Sequence, residues 1–265
     1  MANYRRPWAL YLAAVLGYVF LFAPIVLVIL NSFNANSELT GWGGFTFRWY
    51  GQAWGNAIVV NAAENSVIIA LIVTAASAVL GTAAALALAR SRRFTRALLN
   101  GVTYARIVIP ELVIALALLI FFTRIGFPRG IASIILGHIV FDSAYVTIIV
   151  SARLATRDPA TDEAARDLGA TPWRAFRRVL LPDLMPAIVT SALLAFTFSL
   201  DDVVTSFFLS GSVNTLPLVI LSLIRQEVTP AVNALGVTLM GVSTTMMGLF
   251  VYLNYKWSGG RVINA

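Results

Sequence analysis

The sequence predicts an all-α, polytopic membrane fold with six transmembrane helices, on three observations. Apolar residues make up 59% of its 265 positions and charged residues only 12%, about half the ~25% charged fraction of soluble domains. Six apolar segments are long enough to cross a bilayer, because a helix rising ~1.5 Å per residue needs ~20 residues for a ~30 Å hydrocarbon layer. The cationic residues fall between those segments, concentrated in alternate loops. The chain has no cysteine, one histidine (His138) and one lysine (Lys256). That composition excludes a disulfide framework, a thiolate zinc site and a cysteine nucleophile. The +7 charge is nearly all arginine and sits where it sets membrane orientation rather than where it would meet nucleic acid.

The first segment, 9–31, follows Arg5 and Arg6, and no charge occurs from Pro7 to Ser37. That is too long for a signal-peptide core, so it reads as a retained span. The second, 65–89, carries Gly81, Ala84, Ala85 and Ala87, small residues suited to helix–helix contact. The third, 107–123, is the shortest and contains Glu111 directly after Pro110. The fourth covers 131–152, the fifth 184–207 and the sixth 232–255. Were the third and fourth one re-entrant hairpin, four spans would remain and the flanking loops would still share a face. Residues 33–64, with Trp42, Trp49, Tyr50 and Trp54, read as an ordered external loop with interfacial aromatics. Gly211, Asn214, Pro217 and Pro230 break the stretch 209–230, which reads as a compact external loop with a short helix. Residues 1–265 thus form a single transmembrane domain with a cytoplasmic loop at 153–183.

Orientation follows from counting cations. Fifteen of the 19 lysines and arginines lie at the termini and in the second and fourth loops. Only Arg48, Arg124, Arg129 and Arg225 fall on the opposite side. The positive-inside rule therefore places both termini in the cytoplasm.

The fourth loop contains the stretch DPATDEAARDLGATPWRAFRRVLLP, from Asp158 to Pro182. Asp158 can cap a helix with Pro159 at its first position, where a missing N–H costs nothing. Asp162 and Glu163 then favour the helix dipole. Gly169 suits a left-handed C-terminal cap, and Thr171 before Pro172 repeats the start signal. Trp173, Phe176 and Leu180 share one stripe of the second helix, with Arg174 and Arg178 on another. From spacing alone this is either an amphipathic hairpin on lipid headgroups or a docking element.

The residues Glu163-Ala164-Ala165, then Gly169, Val179 and Leu181-Pro182, resemble the EAA loop of ABC importer permeases, with valine where that family usually has isoleucine. The resemblance implies the type I, methionine-importer-like transmembrane fold. It also implies a coupling role for Glu163, Ala164, Ala165, Gly169, Leu181 and Pro182, which would dock on a separate ATPase. No G-x-x-x-x-G-K-[ST] phosphate loop occurs here, so ATP and Mg would be bound by partner subunits and this chain would be a transport subunit rather than an enzyme. The implied partners are a second homologous permease, two ATPase subunits and an extracytoplasmic binding protein, in a bacterial inner membrane. No cofactor is expected on this chain.

Further segments are most similar to the second permease of spermidine/putrescine importers. They include Ser32-Phe33-Asn34, Trp42 to Thr46, Asn65 to Ala70, Ser199-Leu200-Asp201-Asp202, Thr215 to Leu218 and Val228-Thr229-Pro230. Iron, phosphonate, thiamine and sugar permeases share the EAA loop and are the alternative cargo classes; a secondary transporter or channel is a further one. Polyamines carry several ammonium groups, so their pathway needs acidic and aromatic side chains. A carboxylate inside a span costs roughly 2.5–3.5 kcal/mol on insertion scales and ordinarily faces a cavity. Glu111, Asp142, Asp201 and Asp202 fall in or at the edge of spans and are read as a cation ladder, with Tyr145, Phe141, Phe198 and Phe207 as cation–π faces. Asp202 shares a helical stripe with Ser199 and Ser206 and is preferred over Asp201. Competing structural readings are a first-turn dipole role for Glu111, pairing of Asp142 with His138 or a partner arginine, interface capping by Asp201 and Asp202, and packing for His138.

Overall fold

The computed structural model describes residues 8–158 and 160–257. Arg5, Arg6, Pro159 and Arg261, used above for charge and capping, lie outside the described residues. Among the described residues five helices are long and apolar enough to cross a membrane, and a bent pair of helices reaches that length and hydropathy only when taken together. The straight ones are α1 (Trp8–Ser32), α3 (Ala57–Arg90), α6 (Ile131–Ala155), α9 (Leu181–Asp201) and α12 (Pro230–Trp257). The short helices are α2 (Arg48–Trp54), α7 (Ala160–Asp167), α8 (Pro172–Ala175), α10 (Val204–Leu209) and α11 (Leu216–Gln226).

The third span is not the straight segment 107–123. Helix α4 (Arg93–Val108) meets α5 (Glu111–Arg124) at 108°. The cause is local: Pro110 has no N–H and forces the preceding residue out of the helical region, and Ile109 is extended (φ −72°, ψ 127°). Glu111 is consequently the first residue of α5. The fifth span also departs from expectation. Helix α9 ends at Asp201, and α10 begins at Val204 after a break at Asp202 and Val203.

Two compact units are distinguished, one comprising Met1–Val60 with Ile220–Gly241 and the other Asn61–Val219 with Val242–Ala265. In the first, the loop after α1 is organised by Asn34, which is 2% exposed. Its Oδ1 accepts the N–H of Gly43 at 2.8 Å, its Nδ2 donates to the Gly41 carbonyl at 2.8 Å, and its own carbonyl accepts Trp49 Nε1 at 2.6 Å. Phe33 stacks on Phe45 and meets Tyr50 at 5.3 Å. Two of the four aromatics expected at an interface, Trp49 and Tyr50, therefore close the loop on itself, whereas Trp42 is exposed.

In the second unit, α3 and α6 approach closely at Gly81, where a Cβ would lie 2.5 Å from Val146 Cβ and 2.8 Å from the Ser143 carbonyl. Ala85 joins the same core with Val146, Val150, Leu180, Leu184 and Ala195. Ala84 and Ala87, also expected at helix contacts, are exposed instead. Ser66 Oγ accepts the N–H of Leu216 at 2.8 Å, and Asn65 Nδ2 donates to the Asn214 carbonyl at 3.0 Å. Two segments far apart in sequence, Asn65-Ser66 and Asn214 to Leu216, thereby form one joint.

The loop at 153–183 folds as its capping residues dictate. Asp158 Oδ1 accepts the Ala160 N–H at 2.9 Å. Gly169 adopts φ +75°, with the Ala170 N–H reaching the Ala165 carbonyl at 3.0 Å. Thr171 Oγ1 accepts the Arg174 N–H at 3.4 Å. After α8 the backbone widens into an i→i+5 turn over Phe176–Leu180 and runs directly into α9. Leu180 is buried and Phe176 packs on the same core, while Trp173 stacks on Phe176 at 5.5 Å but remains 67% exposed.

Candidate functional site

The two backbone breaks create the site. Val108–Glu111 separates α4 from α5 and Asp201–Val204 separates α9 from α10, and each break frees backbone polar groups. Non-helical backbone at membrane depth is tolerated only where protein or a water-filled cavity surrounds it. Between these breaks and α6 lies a cavity of about 500 Å³ lined by Glu111, His138, Phe141, Asp142, Tyr145, Phe198, Asp201 and Asp202, among others.

All six residues singled out by sequence for a substrate pathway (Glu111, Asp142, Tyr145, Phe198, Asp201 and Asp202) line this one cavity. They form a cluster rather than a ladder, because the breaks at Ile109–Pro110 and Asp202–Val203 bring them to one level. Phe141, Tyr145 and Phe198 form an aromatic triad with centroids 5.0–6.0 Å apart. Phe207, the fourth aromatic considered, is half exposed and stacks edge-on against Phe208.

Asp202 bridges the broken helix. Its Oδ1 accepts the Ser206 N–H at 2.7 Å, capping α10, and lies 3.1 Å from His138 Nε2. The relation of Asp202 to Ser199 and Ser206 thus survives, though not as a stripe on one helix. His138 gathers both serines: Nδ1 meets Ser199 Oγ at 2.8 Å and Nε2 meets Ser206 Oγ at 3.3 Å. The competing reading that pairs Asp142 with His138 does not hold, since neither Asp142 oxygen has a hydrogen-bond partner. His138 is turned toward α9 and α10, where hydroxyl and carboxylate partners saturate both ring nitrogens. Asp201 points to α12 and accepts Ser243 Oγ at 2.6 Å. Glu111 Oε1 accepts Thr205 Oγ1 at 3.1 Å.

Asp142 is different. It is 1% exposed, and neither carboxylate oxygen has a hydrogen-bond partner. A buried carboxylate without a hydrogen-bond partner costs several kcal/mol. Arg106, counted by sequence among the cytoplasmic loop cations, is another departure. It lies in α4, is 8% exposed, and places its guanidinium 3.7 Å from the Phe141 ring centroid. Its distinguishing signal in the sequence is its separation from the Arg90–Arg96 cluster by nine uncharged residues.

At the loop end of the bundle, Asp183 joins α6 to α9. Arg153 Nη2 donates to Asp183 Oδ1 at 2.6 Å and Arg157 Nε to Oδ2 at 2.9 Å. This ion-pair pair fixes the base of the Glu163–Gly169 hairpin. At its tip, Glu163 and Ala164 are exposed and Leu168 is 89% exposed.

Residues 77–263 match the family described as binding-protein-dependent transport system inner membrane component. The putrescine transport system permease protein PotI of Escherichia coli K12 is 40% identical over 247 residues, covering 89% of this chain and 87% of the relative. The spermidine/putrescine transport system permease protein PotC of Haemophilus influenzae is 38% identical over 240 residues, covering 90% and 93%. Among solved structures, a bacterial ABC transporter that imports the acidic polysaccharide alginate aligns with TM-score 0.71 at 16% identity over 98% of both chains. The MetNI methionine ABC transporter aligns with TM-score 0.63 at 16% identity over 75% of this chain and 95% of that one. At that identity the structural likeness establishes the fold, which is the type I importer transmembrane fold.

Proposed function

The chain belongs to the family of binding-protein-dependent transport system inner membrane components, and on that premise we propose that it is the permease subunit through which an ATP-driven importer admits polyamines. The observation that carries the reading is the cavity in which Glu111, Asp142 and Asp202 surround the Phe141–Tyr145–Phe198 triad. Carboxylates attract ammonium groups, and aromatic faces add ~0.5–2 kcal/mol per cation–π contact. The same acids oppose an anionic cargo such as a phosphonate. The named activities of the PotI and PotC relatives support this assignment.

In this reading the hairpin from Glu163 to Gly169, with Ala164 and Ala165 on its first helix, docks on a partner ATPase. Leu181 and Pro182 pass its movement into α9. Both termini and the hairpin are cytoplasmic, ATP and Mg act on the ATPase subunits, and a second permease completes the path. An external binding protein delivers the polyamine, so the cavity itself needs only modest affinity. ATP binding closes the ATPases and turns the bundle outward; hydrolysis resets it.

The test is ATPase activity of the complex purified with its natural partners and reconstituted in vesicles. Putrescine or spermidine with the binding protein is expected to stimulate hydrolysis, while amino acids, sugars and phosphonates do not. Stimulation by one of those other solutes and not by either polyamine would reassign the cargo.

A further inference from the structure

We infer that Arg106 is a built-in counter-cation of the cavity, which holds its own affinity for polyamines low and must be offset for an ammonium group to settle there. The inference rests on the polyamine reading above and adds a residue that governs how strongly the pathway holds its cargo.

Three observations meet at this residue. Arg106 is almost wholly buried although it sits on an otherwise largely exposed helix. Its guanidinium lies on Phe141, which is itself a wall of the cavity. It is within electrostatic range of Glu111, Asp142 and Asp202. Yet its Nε has no hydrogen-bond partner, and neither oxygen of Asp142 has one. A permanently charged guanidinium and a carboxylate are thus held in one buried neighbourhood, each with unmet hydrogen-bonding capacity. A purely structural arginine in a low-dielectric interior would be expected to close that ion pair, since an unsatisfied buried charge is costly.

The arrangement makes chemical sense for a conduit. A site whose carboxylates met the cargo with no cation nearby would bind a polycation tightly and release it slowly. A resident cation against one wall weakens that field, and conduction requires binding strong enough to enter but weak enough to leave. An arriving ammonium group completes Asp142, and repulsion between the two cations then favours its departure.

The experiment measures direct spermidine binding to the detergent-solubilised complex without binding protein, after wild-type spermidine uptake with binding protein has been recorded. Arg106→Gln and Arg106→Met, both uncharged, the second keeping an apolar stem as far as the position of Nε, are expected to bind spermidine about tenfold or more tighter, because one repulsive charge is gone at close range. Arg106→Lys retains the charge and is expected to bind within about threefold of wild type. Equal affinity in wild type, Arg106→Gln and Arg106→Met overturns the inference. So does equal tightening by Arg106→Lys, or assembly of the complex only when a cation is present at this position, which would make the charge structural. Absence of wild-type polyamine uptake defeats the polyamine reading itself and this inference with it; uptake with unaltered variant affinities defeats the inference alone.

Discussion

His138 Nε2 lies 3.1 Å from Asp202 Oδ1 and leaves Asp142, one helical turn along α6, without a hydrogen-bond partner. That choice of partner ties α6 to the break between α9 and α10 and divides the cavity's acids into bound and unbound. Asp202 caps α10 and lines the cavity, whereas Asp142 lines the cavity without a hydrogen bond to the fold.

Replacing His138 by alanine removes the contacts to Ser199, Ser206 and Asp202 together. Stranding a buried polar group costs about 1–3 kcal/mol, so His138→Ala is expected to lower the thermal unfolding temperature in detergent. It should also lower transport, because the α9–α10 break loses its anchor. An unchanged melting temperature would show that the network contributes nothing to stability.

The opposite sign is expected at Asp142. Asp142→Asn removes a buried charge that no protein group satisfies, and such functional strain is ordinarily released on substitution. The variant is expected to melt at or above the wild-type temperature. A melting temperature well below wild type would identify Asp142 as a structural residue.

Gly169 holds φ +75° at the exit of α7. A β-branched residue there incurs about 1–2 kcal/mol of left-handed strain, relieved by redirecting the hairpin. Gly169→Val is therefore expected to leave membrane insertion intact while reducing substrate-stimulated ATPase activity of the complex severalfold, with Gly169→Asn milder because asparagine tolerates that conformation. Equal stimulation in wild type and both variants would remove the hairpin geometry from the coupling path.

Asp183 accepts from Arg153 and Arg157 at the base of the same hairpin. The Arg153 pair is largely exposed and contributes little, but Arg157 is 9% exposed in that pair. Asp183→Ala is expected to cost about 1 kcal/mol or somewhat more and to weaken the ratio of transport to ATP hydrolysis. Measuring both rates on one vesicle preparation checks this, and an unaltered ratio counts against a transmitting role.

Much of the bundle was legible because bilayer thickness sets helix length, and the hairpin was legible because Asp158, Gly169 and Thr171 act locally. What escaped were tertiary choices. Spans such as α3, α5 and α6 are apolar nearly all round, so the pattern does not reveal which face is buried within the chain, and Ala84 and Ala87 lie on the face that is not. Pro110 signalled a break, but the apolar run on both sides of it masked the bend. The break after Asp201 has neither proline nor glycine to announce it; the Asp202 side chain compensates the freed backbone only in three dimensions. His138 chose a partner 64 positions away over one four positions away, and Arg106 was assigned by charge counting when its environment is decided by packing.

The most direct test is spermidine uptake into vesicles by complexes carrying Glu111→Gln, Asp142→Asn or Asp202→Asn, each with its own thermal stability recorded. Loss of about tenfold or more in uptake is predicted for Asp142→Asn without loss of stability, with reduced uptake in the other two, since each removes a carboxylate facing the cation. Wild-type uptake in all three would contradict passage of the polyamine through this cavity.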